Sequence, residues 1–189
     1  HKQGTPTMGG ILIILSITSS TILWADILNK YIILTLGSFL CLGAIGFRDD
    51  YIKVIRKRNL GMTPTTKFLG QILLAVTLAL FIMMCTPIPR TLYIPFFKYF
   101  ILNLGIFYAL FVILVLTGSS NAVNLTDGLD GLAIGCTIIV ALTYSILSYV
   151  TGHFKFSEYL NIFYLQGAGE LSVFCASMVG AGLGFLWFN

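Results

Sequence analysis

The 189 residues are 57% hydrophobic and only 10% charged, with a mean hydropathy of +0.93, whereas a soluble domain is about 45–50% apolar and about 25% charged. A chain so poor in polar residues cannot cover a water-facing surface, which argues against a water-soluble enzyme or a disordered segment. Eleven Lys and Arg against seven Asp and Glu give a net charge of +4, but most of the excess sits in one short loop, so no nucleic-acid partner is expected.

A membrane-spanning helix needs roughly 20 mostly apolar residues. Six stretches meet or approach that length: 8–25, 31–47, 68–87, 99–118, 132–150 and 171–188. The first is preceded by Gly4-Thr5-Pro6-Thr7, a turn that either caps the helix or brings hydroxyls to an anion. The second ends on Arg48-Asp49-Asp50. No charge interrupts 68–89 or 99–126, and strict apolar/polar alternation, the mark of a membrane β-barrel, is missing from runs such as 101–116. The polar string 121–131 follows the fourth span. Segment 151–169, with Phe154, Phe156, Tyr159, Phe163 and Tyr164, suits an interfacial helix or loop at the headgroups. Gly180, Gly182 and Gly184 in the last span read as helix packing, the first and last at the Gly-x-x-x-Gly spacing. The expected fold is all-α, a polytopic transmembrane bundle forming a single integral-membrane domain over 1–189, with the bilayer as partner. The chain opens at His1 without a signal-peptide pattern and stops just after an apolar run, as expected of an internal piece of a longer protein.

Alternate loops fall on opposite sides. One side collects Lys2, Arg48, Lys53, Arg56, Lys57, Arg58 and Lys67, and the other Lys30, Arg90, Lys98 and Lys155. The positive-inside rule makes the first side cytoplasmic. All the polar motifs then share that face, at span ends, where interfacial chemistry belongs. A transporter would more often carry ionisable groups near mid-membrane. The cysteines (Cys41, Cys85, Cys136 and Cys175) lie in apolar runs without zinc spacing. His1 and His153 have no neighbouring nucleophile.

Two constellations could carry chemistry. Adjacent Asp49 and Asp50 repel each other, and a helix continuing past the membrane would place Lys53 and Lys57 at i+4 and i+8 from Asp49. That face reads either as an ion-paired helix end or as a carboxylate for metal or proton set beside lysines for phosphate. In 121–131, Asn121, Asn124, Asp127 and Asp130 recur every third residue. One continuous helix would aim the first and last in opposite directions, so a break at Gly128 or Gly131 is predicted. Amide and carboxylate oxygens there are hard ligands suited to Mg²⁺ beside a phosphate. The alternative is a polar re-entry loop ending in a helix cap.

At these residues the chain resembles a known family. Lys2-x-Gly-Thr-Pro-Thr-Met-Gly-Gly10, Phe47-Arg-Asp-Asp-Tyr-Ile-Lys53, Thr63-Pro-x-x-Lys67 and Asn121-Ala-Val-Asn-Leu-Thr-Asp-Gly-Leu-Asp-Gly-Leu132 closely resemble the phospho-N-acetylmuramoyl-pentapeptide-transferases, within the polyprenyl-phosphate N-acetylhexosamine-1-phosphate transferase superfamily. The resemblance implies ten transmembrane helices, of which these six are similar to the second through seventh. It implies transfer of phospho-N-acetylmuramoyl-pentapeptide from UDP-MurNAc-pentapeptide to undecaprenyl phosphate. The products would be lipid I and UMP, made with Mg²⁺ at the cytoplasmic face of a bacterial inner membrane.

By resemblance, Asp49 is the group that deprotonates the lipid phosphate, or in another view the nucleophile. Asp50 is its partner near the metal, and Asp127 completes the catalytic set. Lys53, Lys57 and Lys67 match lysines of the cytoplasmic site, Asn121, Asn124 and Asp130 lie with Asp127 around the nucleotide-sugar, and Lys2 and Thr7 line the same cleft. A homodimer is also implied. The family's principal Mg²⁺ ligand belongs to a further motif, Met-Gly-Asp-x-Gly-Ser, which 1–189 does not contain, nor does it contain the family's His-rich loop. Metal ligands among the residues present are therefore unassigned. The competing readings are a sister transferase using UDP-N-acetylglucosamine and, from another class, a membrane transporter.

Overall fold

The structure is a computed structural model that describes residues 9–56, 61–93, 101–126 and 131–188. Helices α1 (Gly9–Trp24), α2 (Lys30–Arg56) and α3 (Pro64–Cys85) are followed by a hairpin of β1 (Thr91–Tyr93) and β2 (Ile101–Asn103). Then come α4 (Phe107–Thr126), α5 (Leu132–Gly152), the short α6 (Phe154–Leu160), a 3-10 turn at Ala168–Glu170, and α7 (Leu171–Phe188). Helices α2, α3, α4, α5 and α7 are long and apolar enough to cross a membrane, while α1 spans 16 residues and is shorter. Large apolar side chains such as Leu15, Leu73, Leu114 and Ile139 are exposed, as lipid-facing residues are.

The chain falls into two compact units, one of His1–Gly61 with Thr126–Asn189 and one of Met62–Leu125. In the first, Ile17 of α1, Ile32 and Leu36 of α2 and Phe174 of α7 form the buried core, with Phe39 meeting Phe174 edge-on at 5.5 Å between ring centroids. Helix α5 lies close along α7, because a Cβ on Gly182 would stand 2.7 Å from Ile138 Cγ1. A Cβ on Gly180 or on Gly184, which were expected to pack along with Gly182, would meet nothing within 4 Å. These two glycines instead line an open groove of about 1080 Å³ among α1, α5 and α7. At the opposite end, the Asp26 N–H donates to Glu170 Oε2 at 2.9 Å and Asn29 Nδ2 donates to the Gly167 carbonyl at 2.9 Å.

In the second unit, Thr63 starts α3 by accepting the Thr66 N–H on Oγ1, and Pro64 takes the first position, where its missing donor costs nothing. The helix therefore starts before the predicted 68. The strands pair antiparallel with Leu92 opposite Leu102. Residues expected to open the fourth span at 99–106 are thus partly strand, and α4 begins only after Gly105, at φ +51°. Hydropathy alone does not separate an apolar strand from an apolar helix.

At its other end α4 continues past 118 to Thr126, so Asn121 and Asn124 stand on a helix and not in a loop. The predicted break does occur. Gly131 sits at φ +80° before α5, in the left-handed region that favours glycine; Gly128 lies outside the described residues. Helix α2 likewise overruns its predicted end at 47, having neither Gly nor Pro from there to Arg56. Some hydroxyls of these helices satisfy themselves on helix carbonyls, as a lipid setting favours: Thr21 Oγ1 donates to Ile17 O at 2.8 Å and Ser177 Oγ to Val173 O at 2.8 Å.

Candidate functional site

The last turns of α2 carry a compact charged group. Lys53 Nζ lies 2.6 Å from Asp49 Oδ2 and 3.1 Å from Asp50 Oδ1, so one ammonium serves both carboxylates through the i+4 and i+3 spacings of a continuous helix. The Asp49 side chain is 15% exposed and Asp50 57%. Gly61, where the chain returns after the helix, rests on this pair. A Cβ there would stand 2.8 Å from Asp49 Cγ and 2.8 Å from Lys53 Cε. Phe47 and Tyr51 stack at 5.8 Å on the same stretch of helix.

A second polar group belongs to the second unit. Lys67 Nζ donates to Asn124 Oδ1 at 3.3 Å, joining α3 to α4. One turn further along, Gln71 is almost wholly buried. Its Nε2 donates to Ser120 Oγ at 2.9 Å, and its Oε1 accepts from Asn121 Nδ2 at 3.0 Å. Asn121 Nδ2 also donates to the Thr117 carbonyl at 2.8 Å. The result is a ladder of amide, hydroxyl and ammonium groups on facing helices, each buried member partnered, as low-dielectric surroundings demand.

Of the predicted site residues, Asp49, Asp50 and Lys53 come together in the first unit, and Lys67, Asn121 and Asn124 in the second. Lys2, Thr7, Lys57, Asp127 and Asp130 lie outside the described residues. Sequence reasoning missed Gly61, Gln71 and Ser120. Gln71 did leave a signal, an amide inside an apolar span. Gly61 left none, since its importance comes from the return of the chain.

Among the described residues no three His, Cys, Asp or Glu side chains gather to hold a metal. Asp49 and Asp50 are already bridged by an ammonium, so the described donor set does not by itself fit a Mg²⁺ site.

Apolar helices of spanning length, with charge confined to their ends, define a multi-pass membrane protein. The family model for glycosyl transferase family 4 matches residues 31–189, and the chain belongs to that family. Within it, residues 2–14 match phospho-N-acetylmuramoyl-pentapeptide-transferase signature 1. Similar curated proteins carry that transferase's name. One from Desulforapulum autotrophicum is 52% identical over 189 residues, covering 100% of this chain and 53% of the relative. One from Citrifermentans bemidjiense is 53% identical over 188 residues, covering 100% and 52%. One from Solidesulfovibrio magneticus is 50% identical, covering 100% and 53%. The chain thus spans about half the length of the curated relatives it matches.

Proposed function

We propose that the full-length protein containing this chain moves phospho-N-acetylmuramoyl-pentapeptide from its UDP carrier onto undecaprenyl phosphate, at the cytoplasmic face of a bacterial inner membrane. An oxygen of the lipid phosphate attacks the β-phosphorus of the nucleotide sugar. A new P–O–P bond forms, the bond to the α-phosphate breaks, and UMP leaves, giving lipid I in the first membrane step of peptidoglycan synthesis.

One observation carries the reading: 52% identity along the whole chain to a protein named for this transfer. The charged end of α2 supports it physically. Phosphoryl transfer depends mainly on positioning and on neutralising phosphate charge; within its own unit, Lys53 is fixed by Asp49 and Asp50 at the end of α2, and within the other, Lys67 is fixed by Asn124 at the start of α3. Proton removal by Asp49 is a modest contribution, because a phosphate monoester is already largely ionised near neutral pH (second pKa about 6). Mg²⁺ and a homodimer belong to the proposal on resemblance alone.

The test is a radiolabel transfer assay with the full-length protein in detergent and lipid. UDP-MurNAc-pentapeptide and undecaprenyl phosphate are expected to give a lipid-linked product and stoichiometric UMP. The reaction is expected to stop with EDTA and return with Mg²⁺. Equal or faster turnover with UDP-N-acetylglucosamine would assign the protein to the sister group, and solute flux without product would make it a transporter.

A further inference from the structure

Gly61 lies outside the left-handed region of backbone space that favours glycine; only Gly105, Gly131 and Gly167 have positive φ among the described glycines. Alanine would therefore fit its backbone, and conformational freedom does not explain the residue. Space does. An added Cβ would come within 2.8 Å of Asp49 Cγ and of Lys53 Cε, closer than a Cβ atom approaches another heavy atom in real proteins. What blocks it is side chain and not backbone, so the fold can absorb the extra methyl by moving the two side chains aside. That movement falls on the 2.6 Å contact between Lys53 Nζ and Asp49 Oδ2.

We propose that Gly61 is a positioning residue, whose missing side chain leaves the space in which the Asp49 carboxylate and the Lys53 ammonium are held together for the transfer reaction. The inference rests on the transferase reading for its catalytic consequence, though not for the contact itself. Misplacing a reacting group by about 1 Å can cost about 10²-fold in rate, and a methyl group at Gly61 displaces the pair by a distance of that order.

The experiment compares the full-length wild type with Gly61→Ala, Asp49→Ala and the double variant. Gly61→Ala is expected to lower kcat by about 10- to 100-fold, with KM for the nucleotide sugar within about threefold and the melting temperature nearly unchanged. In the Asp49→Ala background its further cost is expected to be much smaller, because the Asp49–Lys53 contact it disturbs is already gone. A second readout needs no activity: mass-spectrometric acylation of Lys53 by an amine reagent is expected to rise in Gly61→Ala as the ammonium leaves its carboxylates. Unchanged Lys53 acylation, a kcat within twofold of wild type, or the same fold-loss in both backgrounds would overturn the proposal. A wild type that makes no product would defeat the transferase reading instead, and Lys53 acylation would then decide Gly61 alone.

Discussion

At Asp49 and Asp50 two adjacent carboxylates meet one ammonium on unequal terms, the first 15% exposed and the second 57%. The sheltered one, with the shorter contact, is the one that fixes the Lys53 ammonium in place. Asp49→Asn in the full-length protein is therefore expected to cut turnover by about 10²-fold, equivalent to about 2.7 kcal/mol, with Asp50→Asn falling less. Asp26→Asn, which keeps the oxygen that accepts the Leu28 N–H, is expected to stay within twofold. Similar losses at all three would show that the α2 pair is only a charged helix end. Gln71 makes a different prediction. Gln71→Leu removes the partner of Ser120 and Asn121 and is expected to destabilise the protein by about 1 kcal/mol, a typical value for such bonds between membrane helices, read as a lower thermal midpoint in detergent. Pairings along one helix are legible from spacing alone, and Lys53 with Asp49 was found that way. Gly61 and Gln71 act across a chain return and across a helix pair, and no spacing within one element reports either.

Among the elements, the three glycines of α7 expected to pack divide into one that does and two that do not. Gly182 takes the close approach of α5, whereas Gly180 and Gly184 open onto the groove. Gly182→Leu is therefore expected to cost about 1–3 kcal/mol through overpacking against Ile138, while Gly180→Ala and Gly184→Ala leave the thermal midpoint nearly unchanged. Equal effects at the three positions would contradict this packing. The spacing of small residues shows that a helix can be approached, and three-dimensional contact decides which face is. Helix α4 teaches the same lesson through its ends. The apolar Ile101–Asn103 pairs with β1 as a strand, and the polar 119–126 remains helical because Gln71 and Lys67 meet its amides. Composition located the span; partners moved its limits by eight residues, from 99 to 107 at one end and from 118 to 126 at the other.

For the whole molecule, the distribution of basic residues predicts an orientation. In a cysteine-free background of the full-length protein, a single Cys replacing Lys57 is expected to react with a membrane-impermeant maleimide only after the inner face is opened, and labelling in intact cells would invert the topology. Helix α2 adds a matter of length. Its 27 residues run about 40 Å at about 1.5 Å per residue, against a hydrocarbon core of about 30 Å. Asp49 lies about 28 Å along from Lys30 by the same rise, a distance close to the thickness of that core. The height of the carboxylate above the acyl chains is then a property shared between protein and bilayer. A thicker membrane draws Asp49 and Lys53 down toward hydrocarbon or straightens the helix, and a thinner one lifts them clear of a phosphate anchored at the headgroups. Turnover in vesicles of increasing acyl length is accordingly expected to pass through a maximum. A flat dependence would mean that the pair is held at its depth by something other than the length of α2.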